Sequence, residues 1–192
     1  MSRAAASGGV PGGYHGRVTE SVEQMIDRLC EKIPDHPEPG VLFRDLTPLF
    51  ADGEGFHRTV DALVDAFRGQ YDCVAGVEAR GFMIAAAVAY ASGAGIIPVR
   101  KAGKLPRETL SQSYDLEYGT GTLEIHTDDA PRGSRVLVLD DVLATGGTLG
   151  AASALLTRGG YNVAGFGVIM ELTALRGRTQ LGGHRVRALL RV

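Results

Sequence analysis

The sequence predicts an α/β fold: a twisted parallel sheet with helices on both faces. Two observations predict it. Short apolar runs at Cys73–Val77, Ile96–Val99, Arg135–Leu139 and Val163–Met170 alternate with stretches of helical periodicity, as in strands joined by crossover helices. The chain has 192 residues, 44% of them apolar and 22% charged, which suits one soluble domain with an appendage.

Read in order, residues 1–17 hold five glycines and almost no large apolar side chain, so they read as a flexible tail. Val18, Val22, Met25, Ile26, Leu29 and Ile33 follow the spacing of an amphipathic helix, with Ser21 and Gln24 placed for a capping box. Pro34, Pro37 and Pro39 then force an extended connection into Gly40–Asp45. Phe56, Val60, Leu63, Val64 and Phe67 repeat the helical spacing. After the strand at Cys73–Val77 come an Ala-rich helix at Phe82–Ala91, a strand at Ile96–Val99 and a polar loop at 101–109. Tyr114–Tyr118 and Thr122–His126 read as a hairpin around Gly119–Gly121. A strand at Arg135–Leu139, a helix at Gly147–Arg158, a strand at Val163–Met170, a helix at Glu171–Leu181 and a strand at Val186–Val192 complete the chain.

Composition excludes several classes. Twenty basic against 22 acidic residues give a net charge of −2, too balanced for a general nucleic-acid binder. Cys30 and Cys73 make neither a disulfide framework nor a zinc pattern, and the five histidines have no ligand spacing; thiols in a reducing cytoplasm are expected. Gly81–Val99 carries no charge over 19 residues, but Ser92–Gly95 and Pro98 break it, so it reads as helix, turn and strand rather than a membrane span. The N-terminus has no apolar signal core.

Open parallel sheets take ligands beyond the carboxyl ends of their strands. There the informative segment is Val136-Leu-Val-Leu-Asp140-Asp141-Val-Leu-Ala144-Thr145-Gly146-Gly147-Thr148. An apolar strand ends in two acids, and a Thr/Gly loop opens a helix. Such a loop points backbone N–H groups and a helix N-terminus at one anion, while adjacent carboxylates accept from vicinal hydroxyls. A ribose 5-phosphate satisfies both halves. The absence of a Lys after the glycines excludes a Walker A loop. The alternative is a plain strand–turn–helix corner with surface acids.

This segment resembles the phosphoribosyl-pyrophosphate loop of type I phosphoribosyltransferases. Three others resemble the adenine phosphoribosyltransferase branch: Pro39–Asp45, Gly76–Phe82, and Arg100–Arg107 continuing to Tyr114–Gly119. The resemblance spans about residues 20–180. It implies the type I fold with a purine-binding hood at 18–50, a core at 51–192 and a β-hairpin lid at 101–126. It also implies Mg²⁺, a homodimer, and conversion of adenine and 5-phosphoribosyl 1-pyrophosphate to AMP and pyrophosphate in purine salvage, with no nucleic-acid or membrane partner.

Carried onto this chain, the resemblance places Asp140 and Asp141 at the ribose hydroxyls, directly or through Mg²⁺-bound water. It places Ala144, Thr145, Gly146, Gly147 and Thr148 at the 5-phosphate. Glu78–Gly81 becomes the pyrophosphate loop, with Arg80 on the diphosphate and a cis peptide between Glu78 and Ala79. Arg100, Lys101, Lys104 and Arg107 become a lid over the leaving group, one of them reaching the neighbouring subunit. Phe43 stacks on the base, the backbone at Leu42 and Arg44 reads its edge, and Glu117 is the catalytic acid, with Arg80 and Lys104 assisting. On the residues alone, Arg80 equally suits a surface ion pair, the basic run a solvated face, Phe43 ordinary core, and Glu117 an exposed hairpin acid. A transferase for hypoxanthine or xanthine is the rival enzyme. A non-catalytic regulator would have lost the lid or Glu117 and gained a DNA-binding module, and the sequence shows neither change.

Overall fold

The computed structural model describes residues 20–115 and 120–192; the tail expected at 1–17 lies outside them. Helix α1 (Val22–Leu29) starts at the expected capping box. Ser21 Oγ accepts the Gln24 N–H at 3.1 Å, and Gln24 Oε1 accepts the Ser21 N–H at 3.0 Å. The helix stops short of Ile33. Pro34 disfavours helical backbone in the residue before it, and Glu31–Pro34 (β1) pairs antiparallel with Leu42–Asp45 (β2) instead. Periodicity thus overextended the helix, and the extended connection is one arm of a hairpin. A short helix, α2 (Thr47–Ala51), was not foreseen, and α3 spans Gly53–Ala66.

The remaining elements are β3 (Cys73–Val77), α4 (Arg80–Ser92), β4 (Gly95–Lys101), β5 (Thr109–Asp115), β6 (Thr120–His126), β7 (Arg135–Leu143), α5 (Gly147–Arg158), β8 (Asn162–Glu171) and β9 (Val186–Arg191). The expected helix at Glu171–Leu181 is not formed. Glu171 closes β8, and two 3₁₀ turns follow at Thr173–Leu175 and Gly177–Leu181, separated by Arg176 at φ +53°. A left-handed residue there breaks any continuous helix. The strand expected to end at Leu139 runs on to Leu143, so both acids lie within it.

The main sheet has the order β5-β6-β4-β3-β7-β8-β9. The five strands β4, β3, β7, β8 and β9 are parallel, and the β5–β6 hairpin is antiparallel at one edge. Side chains alternate across it with the period of a pleated strand. Cys73, Ala75 and Val77, with Val136 and Val138, face α5 through Leu149, Ala152, Leu155 and Leu156. Val74, Leu137 and Leu139 face α1, α3 and α4 through Met25, Ile26, Leu63, Phe67, Ile84 and Val88. The chain moves from β3 outward to β4 on one side and later from β7 outward to β8 and β9 on the other. The topological switch point therefore lies between β3 and β7.

Phe67 ends α3 with no exposed surface, and the Arg185 guanidinium lies 4.9 Å from its ring centre. Phe67→Ala is expected to cost about 3–5 kcal/mol, read as a lower urea midpoint with unchanged slope.

Candidate active site

Beyond the Gly76–Leu139 pair β3 and β7 separate. β3 turns into α4, while β7 continues against β8 as far as Leu143 and Glu171. The start of α4 fits into this fork because residue 81 is glycine. A Cβ there would stand 2.8 Å from the Leu139 carbonyl oxygen and 3.1 Å from Asp140 Oδ1. The peptide between Glu78 and Ala79 is cis, as the resemblance implied. Arg80 Nε lies 2.7 Å from Asp141 Oδ2, close enough for charge but off the direction of a hydrogen bond, so this buried oxygen has no directed donor. Asp140 Oδ1 accepts the Asp141 N–H at 2.9 Å. Burial and then the Asp141 carboxylate push the Asp140 carboxyl well above the usual carboxylate range.

The Ala144–Thr148 segment lines a cavity of about 70 Å³ together with Asp140, Val142, Leu143 and Leu149. Gly146 takes φ +86° and is the N-cap of α5, and no side chain caps that helix. The first N–H groups of a helix lack intrahelical acceptors, so this cavity offers donors to an anion a few residues from the two acids. A wider cleft of about 520 Å³ shares Thr145 and Gly147. It runs between α5 (Gly150, Ala151, Ala154) and β5 (Gln112, Ser113, Tyr114).

The 31–45 hairpin carries the expected base-binding residues. Phe43 is half-buried, and its ring makes a T-shaped pair with that of His36, the ring centres 5.1 Å apart, so it is not ordinary core. Arg44 directs its side chain to Asp27 of α1 at 3.2 Å, and Leu42 is exposed. β2 belongs to a two-stranded sheet with one paired edge, so its other edge presents main-chain groups. Asp45 is held below the usual carboxylate range by the Thr47 hydroxyl and N–H, with a smaller contribution from the charge of Arg80. The hairpin and the β3–α4 turn therefore share one electrostatic neighbourhood.

The basic run divides. Glu78 Oε2 accepts from the Lys101 N–H at 3.0 Å and from Arg100 Nε at 3.3 Å. The Lys101 N–H and then Arg100 hold the Glu78 carboxyl below its ordinary value against burial. Lys101 and Lys104 are exposed. Arg107 does not join them: it is tied to Asp128 and Asp129, with Nη2 2.8 Å from His126 Nδ1, at the base of the hairpin. These opposite charges draw it away from Arg100, Lys101 and Lys104. Glu117 lies outside the described residues.

Sequence reading missed Glu124. Its buried carboxylate accepts the Lys104 and Leu105 N–H groups at 2.8 and 2.9 Å, pinning the basic loop to β6. Burial pushes this carboxyl up, but the N–H groups of 103–105 and Arg100 outweigh it, and the net shift is downward. The available signal was an acid between Leu123 and Ile125, in a strand where both neighbours are core.

Fold and site together define a phosphoribosyltransferase. The profile of the phosphoribosyl transferase domain family matches residues 57–180. Within that class the chain belongs to the adenine phosphoribosyltransferase family. It is 64% identical over 171 residues to the adenine phosphoribosyltransferase of Arthrobacter sp., covering 89% of this chain and 92% of the relative. To that of Renibacterium salmoninarum it is 62% identical over 173 residues, covering 90% and 95%. The solved adenine phosphoribosyltransferase of Thermoanaerobacter pseudethanolicus matches with a TM-score of 0.84 at 43% identity, covering 90% of this chain and 100% of that one. The Saccharomyces cerevisiae enzyme, solved with an imino-altritol bisphosphate and adenine, matches with a TM-score of 0.83 at 37% identity, covering 88% and 98%.

A carboxylate whose folded-state pKa is lowered stabilises above its ordinary pKa, 4.5 for Glu124, and loses that contribution as pH falls through the folded value. Limited proteolysis within 101–108 is therefore expected to speed up below about pH 4.5. Glu124→Gln is expected to show fast cleavage already at neutral pH, with the far-UV spectrum of the fold retained.

Proposed function

We propose that this chain transfers the phosphoribosyl group of 5-phosphoribosyl 1-pyrophosphate to N9 of adenine, giving AMP and pyrophosphate in purine salvage. One observation carries the reading: the fork between β3 and β7 brings an acid pair, an uncapped glycine loop and Arg80 to one point, with an unpaired strand edge in the same neighbourhood. The bond from the anomeric carbon to the diphosphate oxygen breaks, the bond to N9 forms, and the N9 proton passes to the departing diphosphate. Charge at the ring and on the departing diphosphate must be stabilised while water is kept out.

Asp140 and Asp141 accept from the ribose hydroxyls, and Ala144–Thr148 take the 5-phosphate through N–H groups and the two threonine hydroxyls. Arg80, Arg100, Lys101 and Lys104 face the diphosphate. Phe43 stacks on adenine, and the main chain at Leu42 and Arg44 reads its edge. Glu117 is assigned to the base nitrogens on the sequence resemblance alone.

The acid pair fits Mg²⁺. Asp141 Oδ2 is a buried oxygen without a directed donor, and hard carboxylates suit an ion that keeps several waters and binds substrate phosphates. Among the described residues no group of three or more His, Cys, Asp and Glu is placed to cage a metal. When bound, the ion supplies charge neutralisation at the diphosphate.

A homodimer is part of the same proposal. Met83, Ala86 and Tyr90 are exposed along α4, Tyr90 at 92%, and Ile96 on the next strand is also exposed. Positions three and four apart share a helix face, and an exposed apolar face of this kind suits a second copy of the chain. No helix among the described residues is long and apolar enough to cross a membrane.

Pyrophosphate release assayed with adenine and with hypoxanthine tests the reaction. The two bases exchange donor and acceptor at one edge, and main-chain groups cannot swap roles, so kcat/KM for hypoxanthine is expected to fall by about 10⁴-fold or more. Comparable efficiencies would assign the rival purine. Sedimentation tests the assembly: the unaltered chain is expected as a dimer, and Met83→Asp with Tyr90→Asp as a folded monomer.

A further inference from the structure

The turn at Gly177–Leu181 has been given no role in substrate binding, yet it is built tightly against the 144–148 loop. Gly177 is buried. A Cβ on it would collide with the Ala144 carbonyl oxygen and stand 2.8 Å from Leu143 Cδ1 and 3.0 Å from the Gly146 nitrogen. The contact is reciprocal. A Cβ on Gly146 would collide with the Gly177 carbonyl oxygen and stand 3.1 Å from Gln180 Cβ. Two glycine backbones thus lie face to face, with no side chain between them to flex. A displacement of one is passed to the other, because close-packed interiors transmit strain.

An ion pair fixes the turn from the other side. Glu171, 3% exposed, receives both prongs of Arg178, with Nε at 2.6 Å and Nη2 at 2.7 Å, and Arg191 Nε at 3.1 Å. Arg178 Nη1 also donates to the Val186 carbonyl at 3.1 Å. Glu171 is paired in register with Leu143, the last residue of β7 before the loop. The carboxylate therefore stands where the strand hands over to the loop, and the residue after Gly177 reaches back to it. A bidentate fork fixes direction as well as distance.

We propose that Gly177, seated by the Glu171–Arg178 pair, is the positioning residue that keeps the 144–148 loop in its anion-binding form and so sets affinity for the phosphoribosyl substrate without touching it. This rests on the reading that the loop takes the 5-phosphate. The methyl of Gly177→Ala cannot be accommodated without moving Ala144 or Gly146. Arg178→Lys keeps the charge and loses the fork.

The test uses the full chain as Gly177→Ala, Arg178→Lys, Glu171→Gln and Thr148→Val. Its readouts are KM for each substrate, kcat, the calorimetric affinity for ribose 5-phosphate, and thermal stability. In the folded variants of the turn, KM for 5-phosphoribosyl 1-pyrophosphate is expected to rise roughly 10- to 100-fold and ribose 5-phosphate affinity to fall in step, the scale of an ångström-sized misplacement, with KM for adenine nearly unchanged. Arg178→Lys is expected to show the same split at smaller size. Equal rises for both substrates, unchanged phosphoribosyl affinity in a folded Gly177→Ala, or failure of all three turn variants to fold would assign the turn to stability alone and overturn the proposal. Thr148→Val separates the underlying reading. If it leaves ribose 5-phosphate affinity unchanged, the loop is not the phosphate seat and the proposal falls with that reading. If it weakens affinity while Gly177→Ala does not, only the proposal falls.

Discussion

The carboxyl edge of this sheet depends on one inequality: β7 outlasts β3. The two strands are paired as far as Gly76 and Leu139, and then β7 continues alone against β8 for four more residues. Asp140 and Asp141 have no β3 neighbour to pair with, so they line a fork instead of a ladder. The start of α4 enters that fork, and α5 begins just past the end of β7. Both helices begin at the same edge because each follows a parallel strand in a crossover unit. Their positive N-terminal ends partly offset two carboxylates that would otherwise repel each other in a confined space.

Loops at such an edge have little apolar surface with which to hold their shape. In this chain acids hold them. Glu78 gathers Arg100 and the Lys101 N–H, Glu124 holds the next residues of the same loop, Asp45 accepts the Thr47 N–H, and Glu171 fixes the turn behind the 144–148 loop. A charged acceptor binds an N–H or guanidinium donor more strongly than a neutral one. The result is a set of chemical loops tied to the scaffold by single side chains, each at a known atom.

Much of this was legible in the sequence. The strand at Cys73–Val77 and the helix at Gly147–Arg158 have the expected limits, because apolar runs bounded by polar or glycine positions leave few alternatives. The acid pair and the glycine loop were legible because their chemistry is local. Long-range geometry was not. The pairing of 31–34 with 42–45 depends on tertiary contact, and periodicity alone carried α1 past its end. The extra length of β7 reflects pairing with β8, which no property of Val142 or Leu143 announces. Arg107 stands in the same run as Lys104, but it is drawn off by Asp128 and Asp129, which lie more than twenty residues on. Gly177 fell inside the helix expected at Glu171–Leu181, because the loop it abuts lies about thirty residues earlier in the chain.

On the proposed reading, in which the 31–45 hairpin reads the base, that hairpin has a bearing on how this protein can change over generations. Its exposed strand edge presents backbone groups, and Arg44 is turned away into Asp27. A point substitution replaces a side chain but leaves the order of N–H and C=O groups as it was. Altering that order takes a shift of register, and a shift of one residue in a strand sends every side chain to the opposite face. Phe43 would leave its place beside His36, and Arg44 would lose its partner in α1. Single-nucleotide changes therefore have few routes to a new base preference. Gain or loss of residues in the connecting turn at 35–41 has one, at the cost of rebuilding the hairpin.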